Sequence, residues 1–159
     1  MAVELVESSP ALVTLRYRVY GDIAALVIPP PAQPVRTGEL WKSTCFELFV
    51  RSGTAGSYCE FNFSPSTQWA AYGFRGYREG MAPAPVEREP IISYAEPVES
   101  FDLHVSLPIR LPRSGRLGLS AIVEEKGGHK SYWALAHPPG DPDFHDPACF
   151  ALQLPATRI

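Results

Sequence analysis

The stretch "LVTLRYRVY", residues 12–20, places Val13, Leu15, Tyr17 and Val19 on one side and Thr14, Arg16 and Arg18 on the other. Successive side chains of an extended chain point to opposite faces, so a period of two marks a strand with one buried and one wet face. The pattern recurs along the chain. "FELFV" (46–50) groups Phe46, Leu48 and Val50, while "YCEFNFS" (58–64) sets Cys59, Phe61 and Phe63 against Tyr58, Glu60, Asn62 and Ser64. "FDLHVSL" (101–107) alternates Phe101, Leu103, Val105 and Leu107 with Asp102, His104 and Ser106.

Turn signals separate these runs: "SGTAGS" (52–57), "SPST" (64–67), "RSGR" (113–116) and "KGGH" (126–129). The last predicts a hairpin between "LGLSAIVEE" and "KSYWALA", because paired glycines accept the positive φ of a tight turn. With 17 prolines and 12 glycines spread along the chain, no window of a dozen residues keeps a helical period free of breakers. The expectation is an all-β fold: a two-sheet antiparallel β-sandwich, jelly-roll or immunoglobulin-like, of about nine or ten strands. "IPPPAQP" (28–34) is a stiff connector without ladder donors. Trp133, between small residues in "SYWALA", is expected in the core, with Tyr132 facing a groove on the opposite side.

A chain of 159 residues, 45% hydrophobic and 19% charged, fits one domain over residues 1–159 with a sizeable core. Its 14 basic residues are scattered among 17 acidic ones, a net charge of -3 that argues against a nucleic-acid partner. No apolar run approaches the roughly 20 residues of a membrane span. Glu4 and Glu7 stand where a secretory leader would carry Lys or Arg and an unbroken apolar run, so the expected location is the cytoplasm by default. Cys45, Cys59 and Cys149 cannot all pair and read as small buried hydrophobes.

Saccharide recognition needs aromatic rings to stack on C–H faces and planar polar groups to hold hydroxyls. Trp41 stands at the entry to a strand in "GELWKST". Glu47 lies opposite Phe46, Leu48 and Val50, and Asn62 lies on the polar face of the next strand, so neighbouring strands present a carboxylate and an amide on one surface. Trp69, in "STQWAAYGFRGYR", is a candidate third platform, with Arg75 and Arg78 as anion contacts. The Pro-rich segment "HPPGDPDFHDPACF" (137–150) adds His137 and His145, further candidates for ligand contact.

The blocks "ELWKSTCFELFV", "YCEFNFSPSTQW" and "WALAHPPGDPDFHDPACFALQL" span residues 39–154. In order and spacing they resemble the family-9 carbohydrate-binding modules and the related DOMON-like domains. The shared pattern is a Trp followed by an acidic strand, a "YxEFxxxPxxxW" strand and turn, and a closing aromatic-x-D-P segment before the last strand. The resemblance implies a β-sandwich that binds a small ligand without catalysis, a saccharide or, in a cytochrome branch, a haem. It implies that Trp41 and Phe144 clamp a sugar, with Glu47 as the carboxylate and Asn62 as a polar partner. The sequence departs from the pattern twice: Phe144 stands where a Trp is usual, and Asn62 where the sugar binders carry a longer charged side chain.

Two alternatives stay open. A haem needs axial ligands, and apart from the initiator methionine Met81 with His137 or His104 is the Met/His pairing the sequence offers. A metal-dependent enzyme, or a structural divalent ion, would use His137, Asp141, Asp143, His145, Asp146 and Cys149, whose spacing fits no regular ligand template. Hydrogen-bonding braces for an irregular loop are the simpler role for these side chains, so the leading expectation carries no metal and no cofactor. No nucleophile elbow, phosphate loop or dinucleotide fingerprint occurs in the chain.

Overall fold

The computed structural model describes residues 1–9, 11–53, 56–97 and 99–154. Eleven strands lie among them: β1 (Ala2–Ser9), β2 (Leu12–Tyr20), β3 (Cys45–Ser52), β4 (Tyr58–Phe63), β5 (Trp69–Phe74), β6 (Ala82–Pro83), β7 (Ile91–Ala95), β8 (Ser100–Leu107), β9 (Gly115–Glu124), β10 (Lys130–Ala134) and β11 (Leu152–Leu154). The only helical elements among the described residues are short 3-10 turns, at Ile23–Ala25, Leu40–Lys42 and Pro147–Cys149. The strands form two antiparallel sheets, one ordered β1-β2-β8-β7 and one ordered β10-β9-β3-β4-β5-β6, with β11 also pairing β9. The all-β sandwich is as the alternation predicts. The count exceeds nine or ten because β6 and β11 are very short and because β1 carries a bulge between Leu5 and Glu7 that breaks its alternation.

The core is the set of residues that the period of two assigns inward. Val13, Leu15 and Tyr17 of β2 face Phe101, Leu103 and Val105 of β8 and, from the other sheet, Phe46, Leu48, Phe61 and Phe63. Phe46 packs 5.2 Å from the Tyr17 ring and stacks at 6.1 Å on Phe101, so it joins the two sheets. Tyr17 is fully buried, and its hydroxyl donates to the Glu47 carbonyl at 2.8 Å. Outside this core, on the wet side of the smaller sheet, Arg16 and Arg18 of β2 converge on the Asp102 carboxylate of β8, which is 2% exposed.

The turns obey local chemistry. Gly127 and Gly128 take φ of 106° and 88° in the β9–β10 hairpin, closed by Glu125 N–H donating to the His129 carbonyl at 2.8 Å. "SPST" turns β4 into β5, with Thr67 N–H on the Ser64 carbonyl at 3.0 Å. Trp133 corrects an expectation. It is 44% exposed, its indole N–H donating to Ser131 Oγ at 2.9 Å, because β10 is an edge strand and a four-stranded sheet cannot cover the whole inner face of a seven-stranded one. Cys45 and Cys149 are buried, Cys59 is half-buried, and all three are free thiols. No helix among the described residues is long and apolar enough to cross a membrane.

Truncating Phe46 to Ala removes the contact between the sheets and leaves a cavity. The expected loss is about 3–5 kcal/mol in urea unfolding, whereas a loss below about 1 kcal/mol would mean that this ring does not join the two layers.

Candidate functional site

The outer face of the larger sheet carries the polar set. Strand register places Glu47 of β3 directly between Asn62 of β4 and Ser120 of β9, and puts Glu60 two residues further along β4 on the same side. In a sandwich this side normally meets water. Here the segment 137–150, between β10 and β11, lies over it. Its backbone approaches closely because Gly118 has no side chain: a Cβ there would stand 3.2 Å from the Cys149 carbonyl oxygen and 3.3 Å from Phe49 Cβ.

A second apolar cluster fills the space between segment and sheet. Phe144 and Phe150 pack with Phe49, Tyr58, Phe74 and Ile122, and Trp41 and Tyr72 close one side. Tyr58 stacks on Phe74 at 4.7 Å, and Phe150 meets Phe49 edge-on at 5.7 Å. Burying Phe144 and Phe150 contributes about 1.5–3 kcal/mol each, enough to hold a segment with so few ladder bonds. Polar braces set its path. Asp143 accepts from Tyr77, from Arg78 at 2.7 Å and from the backbone N–H of His145 at 3.1 Å, while Asp146 caps its 3-10 turn through Ala148 N–H at 2.7 Å.

A cavity of about 320 Å³ remains under the segment. Trp41, Phe74, Tyr132 and Phe144 supply rings, Ile122, Met81 and Pro142 supply aliphatic wall, and Glu47, Glu60, Arg78 and His145 supply the polar groups. Glu47 and Glu60 are only 3% and 4% exposed. Ser120 Oγ–H donates to Glu47 Oε2 at 2.8 Å, and Asn62 Nδ2 donates to Glu60 Oε1 at 2.8 Å. Burial, and then the neighbouring charge of Glu60, pushes the Glu47 carboxyl up to about 8 against the opposing effect of the Ser120 bond. Burial likewise raises Glu60.

His145 completes a relay. The Tyr58 hydroxyl accepts from the Arg78 backbone N–H at 3.3 Å and pairs with His145 Nδ1 at 2.7 Å; with the hydroxyl as donor in that pair, the imidazole proton sits on Nε2. Burial, and then the Arg78 charge, lowers His145 to about 4. The 3.7 Å approach of its Nε2 to Glu60 Oε2 is therefore the contact of a neutral ring rather than an ion pair.

Of the residues singled out in the sequence, Trp41, Glu47, Phe144 and His145 line this one cavity, and Asn62 lies beside it in the sheet, bonded to Glu60. Trp69 does not join them. It points into the sandwich, 4% exposed, with the Arg36 guanidinium 4.7 Å above its ring. Arg75 is exposed and packs along the Gly80 backbone, and His137 is exposed beside Phe144 at 6.1 Å between rings, outside the lining. Met81 lines the cavity, whereas His104 sits on the other sheet opposite Arg16, so that pair does not face a common space. Among the described residues no group of three or more His, Cys, Asp or Glu side chains converges as a metal-ion cage. Sequence reasoning passed over Glu60, although it shares the polar side of "YCEFNFS" with Asn62, and over Phe74 and Ile122.

The fold and cavity place the chain among β-sandwiches with an aromatic-walled pocket on one sheet. A solved structure shares that fold: a protein from Bacteroides uniformis ATCC 8492 described as a "putative carbohydrate-binding protein" superposes with a TM-score of 0.60 at 18% identity, over 89% of this chain and 72% of that one. At that identity the likeness is one of fold. No protein-family model matches the chain, and no curated protein matches it.

Two outcomes test the site's physics. A carboxyl whose folded pKa is raised binds its proton more tightly in the native state, so its contribution is fully present below the ordinary value and is lost as pH rises through the folded value. From pH 4.5 to about 8 the wild type should lose stability relative to Glu47→Gln, by at most about 1.4 kcal/mol per pH unit; parallel urea-unfolding curves would show that Glu47 ionises normally. For the covering segment, Asp143→Ala should speed amide exchange across residues 137–150 by about tenfold, in line with a lost charge-assisted bond, and unchanged exchange would show that the apolar contacts alone hold it.

Proposed function

We propose that the protein is a non-catalytic saccharide-binding module whose site is the cavity between the outer face of the larger sheet and the segment 137–150. One observation carries the reading: rings from two separate elements, Trp41 ahead of β3 and Phe144 in the covering segment, line the same pocket as the buried Glu47 carboxyl. Aromatic faces suit the C–H faces of a pyranose, and a fixed carboxyl suits its hydroxyls. A pocket near 320 Å³ lies at the small end of the range for ligand sites, about 300–1,000 Å³, which points to one sugar ring. The order of sequence blocks, which resembles the family-9 modules and DOMON-like domains, supports the same use, as does the described role of the structural neighbour. The mechanism needs neither metal nor cofactor: the rings exclude water, the carboxyls and His145 Nε2–H orient the ligand, and affinity arises from a few modest contacts.

Isothermal titration against a panel of mono- and disaccharides tests this. Binding in the millimolar to micromolar range is expected, with Trp41→Ala and Phe144→Ala each weakening it by about tenfold or more, equivalent to about 1.4 kcal/mol. If no saccharide in the panel binds, or if both truncations bind as well as the parent while remaining folded by circular dichroism, the proposal falls.

A further inference from the structure

The chemistry of the cavity narrows the saccharide. Two carboxyls stand out among the side chains it offers. Glu47 and Glu60 line it, and Asn62 Oδ1, buried beside it in the sheet, has no hydrogen-bond partner among the described residues. Of the donors lining it, only Arg78 is charged, and it bonds Asp143; His145 is a neutral ring with one N–H, and the Trp41 indole and the Tyr132 hydroxyl are neutral donors. A neutral sugar hydroxyl brings no charge to the two carboxyls. An ammonium group only donates.

Among the described residues, none of the elements packed against the two carboxyls brings a cation other than Arg78 to them. Tyr58 and Tyr72 flank Glu60 along the sheet, Tyr132 faces the cavity from β10, Cys45 lies beside Glu47 on the same face of β3, and Tyr17 lies behind Glu47 on the core side. Arg51, the other cation on this face of β3, lies under Phe150, and Lys130 donates to the Lys42 carbonyl. With every group ionised, Glu47, Glu60 and Asp143 oppose the single charge of Arg78. The aromatic walls add the negative faces of their rings, which attract a cation when it is desolvated. Glu47 and Glu60 are diagonal neighbours across β3 and β4, whose Cβ atoms stand about 7–8 Å apart in such pairs, a gap that admits one ammonium between two carboxylates.

We propose that the bound saccharide carries a protonated amine, an amino sugar of the 2-amino-2-deoxyhexose class, whose ammonium group sits between Glu47 and Glu60 against the rings of Trp41 and Phe144. The inference rests on the saccharide reading above and adds the charge of the ligand. It also gives the raised Glu47 carboxyl a use: free, it holds its proton at pH 6.5; with the ammonium bound beside it, it ionises and releases that proton. Binding is thereby linked to proton release, and the sign is opposite to that of a site that merely hydrogen-bonds a neutral ring.

The experiment is titration calorimetry of the full chain at pH 6.5 with glucosamine, glucose, N-acetylglucosamine and cyclohexylamine, each in two buffers of different ionisation enthalpy. Glucosamine is expected to bind at least about tenfold tighter than glucose or N-acetylglucosamine, with release of up to about one proton, and Glu47→Gln and Glu60→Gln are each expected to collapse that ratio toward one. Glucose binding as tightly as glucosamine, or glucosamine binding without proton release by the wild type, overturns the amine inference and leaves the saccharide reading standing. Cyclohexylamine binding as tightly as glucosamine while glucose does not bind overturns the saccharide reading and keeps the ammonium site. Binding of none of the four overturns the amine inference, and the wider saccharide panel then decides the earlier reading independently. The proton count is read on the wild type, so the outcome does not depend on the variants folding.

Discussion

Covering the outer face of the seven-stranded sheet is the constraint on which the rest of the structure depends. Alternation along β3, β4 and β9 sends Glu47, Glu60, Asn62 and Ser120 to the side away from the sandwich core, where solvent would ordinarily satisfy them. The segment 137–150 removes that solvent. Buried polar groups without water must find partners in the protein, and the local network follows: Ser120 on Glu47, Asn62 on Glu60, Tyr58 on His145. Gly118, Phe49 and Phe150 are as much a part of this arrangement as the acids, because they let the segment lie close enough to exclude water.

The protein buries acids in two contrasting ways. Asp102 on the smaller sheet receives two guanidinium groups, from Arg16 and Arg18, and Glu4, 3.9 Å from Arg16, brings the second negative charge. Such a group is fully occupied and has nothing left to offer a ligand. Glu47 and Glu60 are buried with hydroxyl and amide partners and, among the described residues, no dedicated cation, so their ionisation is resisted while they line a cavity. The difference in partners, more than the difference in burial, separates a structural carboxylate from one available for recognition.

How far the sequence discloses this depends on the contrast between adjacent residues. In β2, β4 and β8 large apolar and polar side chains alternate strictly, so the core and its opposite face were readable at once. In β5, "WAAYGF", no such contrast exists; Trp69 looked as eligible for the surface as for the core, and only the register with Phe63 sends it inward. Trp133 failed for another reason: its side of the strand faces inward, but at an edge the partner sheet does not reach. Trp41, Glu47 and Phe144 were legible as chemistry in their blocks. The brace between Arg78 and Asp143 joins residues 65 apart in sequence, and no local pattern announces such a pairing.

The division of labour between sheet and covering segment has a consequence for divergence. The acid-bearing floor is tied into a ladder in which a one-residue shift of register would invert every face, whereas Pro142, Phe144 and His145 come from one short stretch of chain bounded by β10 and β11. Changes within that stretch reshape the roof while the floor keeps its register, provided that Phe150 still covers Phe49. A lineage carrying this architecture can therefore vary the cavity by rewriting a few positions of a single loop.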